Sequence, residues 1–97
     1  MSTDGADAAI RRRYVFHGRV QGVFFRATSA ELARGRAVTG FVRNLPDGTV
    51  ELEAQGAASE IDALVSDIQR RYEGNITHIE QTEISPREGE AAFEVRY

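Results

Sequence analysis

The stretch best placed to do chemistry is Gly18-Arg19-Val20-Gln21-Gly22-Val23-Phe24-Phe25-Arg26. A β-like run, Tyr14-Val15-Phe16-His17, leads into it, and a helix-like pattern leaves it at Phe25. A strand, a glycine-bracketed turn and a helix start gather several backbone N–H groups around one point. The helix N-terminus adds roughly half a positive charge, so the natural guest is an anion, phosphate above all. Gly22 can adopt a positive φ and lets a ligand approach the backbone closely. Arg26, in the first helical turn, offers a planar fork that grips two anionic oxygens at once. Taken singly, the glycines are ordinary turn residues and Arg26 an ordinary surface cation. Together they describe an anion cradle with one cationic clamp.

Other candidate groups are weaker. His17 sits on the strand before the cradle and His78 has no matched partner in the sequence, so the two do not specify a metal centre. Glu51 and Glu53 stand at strand spacing, which an exposed sheet face explains, and nothing makes them a glycosidase pair. Tyr14, Phe16 and Phe41 could imitate the aromatic platform of an RNA-binding sheet. The balance of 12 basic against 15 acidic residues, net −3, opposes that reading and nucleic acid in general. Arg11-Arg12-Arg13 reads as a solvated strand entry. The chain has no cysteine, which removes disulfides, thiolate nucleophiles and cysteine metal ligands. All 12 basic residues are arginines, so lysine Schiff-base chemistry is removed too.

The elements that must position these residues follow from periodicity. At 97 residues, 41% hydrophobic and 28% charged, the chain has the size and composition of one globular domain. Residues 1–10 read as a flexible N-terminal tail without the regions of a signal peptide, and 11–97 as the single domain. No apolar run is long enough to span a membrane, and a cytoplasmic location follows by default. Arg12 to His17 alternates as a first strand, and apolar or small residues at 25, 28, 29, 32 and 33 mark one helix face, ending at Gly35. Phe25, Leu32 and Ala33 are expected inside. Val38 to Arg43 is a second strand, Asn44-Leu45-Pro46-Asp47-Gly48 a turn, and Val50 to Gln55 a third strand. There Val50, Leu52 and Ala54 face the core while Glu51, Glu53 and Gln55 face water. Ser59 is the expected N-cap of a second helix, whose stripe is Ile61, Leu64, Val65, Ile68 and Tyr72 and whose stop is Gly74. Ile76 to Ser85 forms a fourth strand and Phe93 to Tyr97 a short last one. The order is βαββαβ plus one strand. It predicts an α/β fold: a ferredoxin-like α/β sandwich with a mostly antiparallel sheet, both helices on one face and a short extra C-terminal strand.

Two stretches, Gly18 to Arg26 and Gly40-Phe41-Val42-Arg43-Asn44-Leu45-Pro46-Asp47-Gly48-Thr49-Val50-Glu51, together resemble the acylphosphatase family. The resemblance extends over Arg12 to Tyr97. Its one mild departure is Phe41, where many members carry tryptophan. The resemblance implies metal-independent hydrolysis of acyl phosphates to a carboxylate and inorganic phosphate, without a cofactor. It assigns the catalytic roles to Arg26 and Asn44. Phosphate binding falls to the loop of Gln21, Gly22, Val23, Phe24, Phe25 and Arg26, through main-chain N–H groups, while the Asn44 amide holds the attacking water. The chemistry is self-consistent: phosphoryl transfer needs positioning and charge stabilisation more than covalent help.

Two further classes compete. A binding module would hold a phosphorylated ligand in the same cradle without turnover. Similar domains also occur fused to carbamoyl-transfer proteins, a role disfavoured by a chain that stops at Tyr97. An RNA-binding sheet would reveal itself by steep salt dependence. The expected partner is a small acyl phosphate, with neither nucleic acid nor membrane involved. Small size and a complete core favour a monomer. No residue outside the cradle is assigned to the acyl end of the substrate.

Overall fold

The computed structural model describes residues 8–97. The elements run β1 (Ile10–Gly18), α1 (Phe25–Arg34), β2 (Val38–Asn44), β3 (Val50–Gly56), α2 (Ala58–Arg71), β4 (Ile76–Ile84) and β5 (Phe93–Arg96). The five strands form one sheet in the order β4-β1-β3-β2-β5. β3 pairs antiparallel with both β1 and β2, β4 pairs antiparallel with β1, and only the β2–β5 pairing is parallel. This is the expected ferredoxin-like α/β sandwich. Among the described residues, no helix is long and apolar enough to cross a membrane.

The core follows the two periodicities. Tyr14 and Phe16 from β1, Val42 from β2, and Val50, Leu52 and Ala54 from β3 point to one face of the sheet. Phe25, Ala30 and Ala33 of α1 and Ile61, Leu64, Val65 and Ile68 of α2 meet them in one cluster. Phe25 links the layers, 5.1 Å from Phe16 and 4.8 Å from Tyr72 between ring centres. Leu32 is only partly buried against this cluster.

Several expectations need correction. The tail expected over residues 1–10 falls outside the described residues for 1–7, and Ile10 already belongs to β1, opposite Gly56. The N-cap of α2 is Ala57 in extended conformation, with no side-chain cap, and Ser59 lies inside the first turn. His78 does have a counterpart: it stands directly opposite His17 across β1 and β4, the rings 5.3 Å apart. The aromatic platform does not exist, because Tyr14 and Phe16 lie in the helix-side core while Phe41 belongs to the opposite face. Phe41 is buried there beneath arginine, the Arg96 guanidinium carbon lying 4.0 Å from its ring centre.

The largest correction concerns that opposite face, which is not wet. Glu51 and Glu53 are only 4% and 8% exposed, and Arg11 is fully buried. Arg11 donates to Glu53 at 2.8 Å, to Gln55 at 3.1 Å and to both oxygens of Glu90 at 2.8 and 3.2 Å. Glu51 accepts from Arg13 on one side and Arg43 on the other. Gln55 ties in the following loop, accepting from the Arg87 N–H at 2.7 Å and donating to its carbonyl at 2.8 Å. Alternation identified the polar face correctly, but long arginine stems from neighbouring strands cover it and exclude water.

Candidate active site

The β1–α1 connection is held from three sides. At its start Gly18 has φ 121°, and a Cβ there would lie 2.1 Å from the Asn75 carbonyl oxygen, so only glycine fits. The Arg19 N–H donates to that oxygen at 2.8 Å, and the Asn75 amide returns a bond to the Arg19 carbonyl at 3.0 Å. In the middle, the Gln21 side-chain amide donates to the carbonyls of Leu45 and Thr49 at 2.8 and 2.9 Å. At its end, the Tyr72 hydroxyl lies 3.0 Å from both the Val23 carbonyl, to which it donates, and the Thr28 hydroxyl.

This bracing shapes the start of α1. Gly22 takes φ 77°, and Phe24, the N-cap, is left-handed at φ 64°, ψ 25°. A left-handed residue leading into a right-handed helix turns successive N–H groups towards a common concavity that suits an anion. The first turn carries no acidic residue and, among the described residues, the N-cap has no side-chain hydrogen bond, so the positive helix end is not neutralised locally. The Thr28 N–H bonds the Phe24 carbonyl at 3.0 Å and begins the helical ladder. The first amides of a helix have no acceptor within the helix itself.

Asn44 reaches the same place by strand register. β1 and β2 run parallel on either side of β3, and Val50 pairs with Phe16 on one side and with Asn44 on the other. The carboxyl ends of both strands therefore lie at one edge of the sheet, where α1 begins. Asn44 shares its strand face with the buried Val42, which directs it to the helix side. The turn after it is fixed by Asp47, which accepts from the Thr49 hydroxyl at 2.6 Å and the Thr49 N–H at 3.0 Å. Those two bonds hold the Asp47 carboxyl below its ordinary 3.8.

A 340 Å³ cavity at this edge is lined by Val20, Gly22, Phe24, Phe25, Arg26, Ala27, Asn44, Val95 and Tyr97. It brings Arg26 and Asn44 together with the unneutralised helix start. Of the other loop residues, Gln21 and Val23 do not line it; Gln21 braces the turn and Val23 packs on the core. Arg26 is anchored from β5: its Nη1 donates to the Arg96 carbonyl at 3.2 Å, and its guanidinium carbon lies 4.6 Å from the centre of the Tyr97 ring. Tyr97, Val95 and the bracing role of Tyr72 were not legible as site features. A terminal strand is visible in the sequence, but not that it pairs in parallel with β2, which sets Tyr97 at the level of Asn44. Among the described residues, no three His, Asp or Glu side chains are grouped to hold a metal ion.

The acylphosphatase family model matches residues 12–95. The chain belongs to the acylphosphatase family. An acylphosphatase of Haloarcula marismortui is 43% identical over 88 residues, a match covering 89% of this chain and 96% of the relative. The crystal structure of the acylphosphatase from Bacillus subtilis superposes with a TM-score of 0.82 at 32% identity, over 91% of this chain and 99% of that one. T. kodakarensis HypF contains the same fold, with a TM-score of 0.79 at 27% identity, but the match is 12% of that longer chain. An acylphosphatase acts on acyl phosphates, and this chain is an enzyme of that class.

Proposed function

We propose that this acylphosphatase hydrolyses its substrate by direct attack of water on a phosphoryl group held in the α1 cradle, without a metal ion. The backbone N–H groups of residues 21–26 and the Arg26 guanidinium bind the phosphoryl oxygens. The Asn44 amide orients the water. The water oxygen forms a bond to phosphorus as the bond from phosphorus to the acyl oxygen breaks, and the electron pair leaves with the carboxylate. The proton released by water passes to a phosphoryl oxygen. A carboxylate is a good leaving group, so no general acid is required, and positioning with charge stabilisation supplies the rate.

The observation that carries this reading is the shared cavity: Arg26 from α1 and Asn44 from β2 face the same unneutralised helix start. The test is turnover of benzoyl phosphate in excess chelator, with inorganic phosphate as competitor. Chelator-insensitive hydrolysis inhibited competitively by phosphate is expected. Phosphate binding without turnover would instead make the site a binding module.

A further inference from the structure

Phe24 and Tyr97 are the large hydrophobic side chains left exposed among the described residues, at 82% and 99%. Both line the cavity that holds Arg26 and Asn44. An exposed phenylalanine ring forgoes the stabilisation that its burial would contribute. At Phe24 the backbone adds a second cost. Its left-handed φ of 64° is a conformation that glycine or asparagine adopts readily and that strains other residues. A phenylalanine in that position, with its ring in water, is disfavoured by both local conformation and packing. A strained, exposed ring at the cavity that holds Arg26 and Asn44, with a second aromatic ring beside it, points to a ligand.

We propose that Phe24 and Tyr97 form an apolar rim that receives the acyl end of the substrate and selects acyl phosphates with an aromatic or extended apolar acyl group. The inference rests on the hydrolytic reading above. The acyl group is joined to the phosphoryl group through one bridging oxygen, so it must lie beside the cradle, where these two residues stand. The remaining lining supports the same class. Among the described residues, Arg26 is its one charged side chain, no acidic side chain lines it, and Val20, Phe25, Ala27 and Val95 add apolar surface.

The test compares kcat/KM for benzoyl phosphate with that for acetyl phosphate in the full chain and in Phe24→Gly and Phe24→Asn. Both substitutions suit the left-handed backbone and remove the ring, so loss of the ring is separated from distortion of the loop. The benzoyl-to-acetyl ratio is expected to fall roughly tenfold in each variant, the scale of a lost apolar pocket contact. Phe24→Leu should retain most of the ratio. If the variants turn over both substrates with the original ratio, or lose both equally, the rim assignment is overturned and hydrolysis stands. If the unaltered protein hydrolyses neither substrate, the hydrolytic reading falls and the rim with it.

Discussion

Arg26 sits where a cation can do more than neutralise charge. Its Nη1 donates to the Arg96 carbonyl and its guanidinium lies against the Tyr97 ring, two contacts that hold the group beside the cavity. Lysine would keep the charge and lose the planar fork. Arg26→Lys is therefore expected to lower kcat/KM for benzoyl phosphate about 10²–10³-fold, measured by initial rates, with the melting temperature little changed. Full activity in that variant would remove Arg26 from the mechanism. A second prediction concerns Ser29, whose hydroxyl is buried in α1 with no hydrogen-bond partner among the described residues. Ser29→Ala should raise the unfolding free energy by about 1 kcal/mol in urea titration, because it removes an unsatisfied polar group. At this scale the sequence was informative about Gly22 and Arg26, where residue type and spacing dictate local conformation. It was silent about Phe24, because a left-handed phenylalanine contradicts propensity and is visible only in the backbone.

The elements carry the site to one edge of the sheet. Val50 sets β1 and β2 level, and the Gln21 side chain then ties the β1–α1 loop to the β2–β3 turn through two carbonyls. Gln21→Ala breaks that tie without touching the cavity lining. It is expected to reduce kcat about tenfold or more by loosening the distance between cradle and Asn44, while secondary structure by circular dichroism stays native. Unchanged kinetics would show that the two segments are fixed independently. Strands and helices were legible because periods of two and of 3.6 are written in the apolar residues, down to the α2 stripe from Ile61 to Tyr72. What alternation could not give was the fate of the polar face. Glu51 and Glu53 read as solvated because water and a layer of arginine side chains impose the same pattern on the strand.

At the scale of the whole molecule, the polar face is a second interior. Arg11 joins β1 to Glu53 on β3 and to Glu90 in the loop before β5. Arg11→Ala would leave Glu53 with only its 3.8 Å contact to Arg87 and the half-buried Glu90 without its arginine, and is expected to cost about 3 kcal/mol, seen as a fall in melting temperature of roughly 10 °C. The same layer predicts the response to acid. Burial alone would raise the carboxyls of Glu51 and Glu90, but hydrogen bonds from Arg13 and Arg43 to the first and from Arg11 to the second outweigh it, and both lie below their ordinary 4.5. The unfolded chain therefore takes up protons first as pH falls. Their stabilisation is present above about pH 4.5 and is lost as pH drops through the lower folded values. The urea midpoint should fall between pH 6 and pH 3, and Glu51→Gln should flatten that dependence. Long-range pairings of this kind, 42 and 79 residues apart for Arg11, leave no local signature in a sequence.

In the proposed mechanism the cradle binds phosphate and Asn44 makes it hydrolytic. Asn44→Ala separates the two. The most direct measurement is kcat for benzoyl phosphate in this variant beside the inhibition constant of inorganic phosphate. The kcat is expected to fall about 10²–10³-fold while the inhibition constant stays within a few-fold of its original value. Undiminished kcat, or a loss of phosphate affinity as large as the loss of rate, would contradict it.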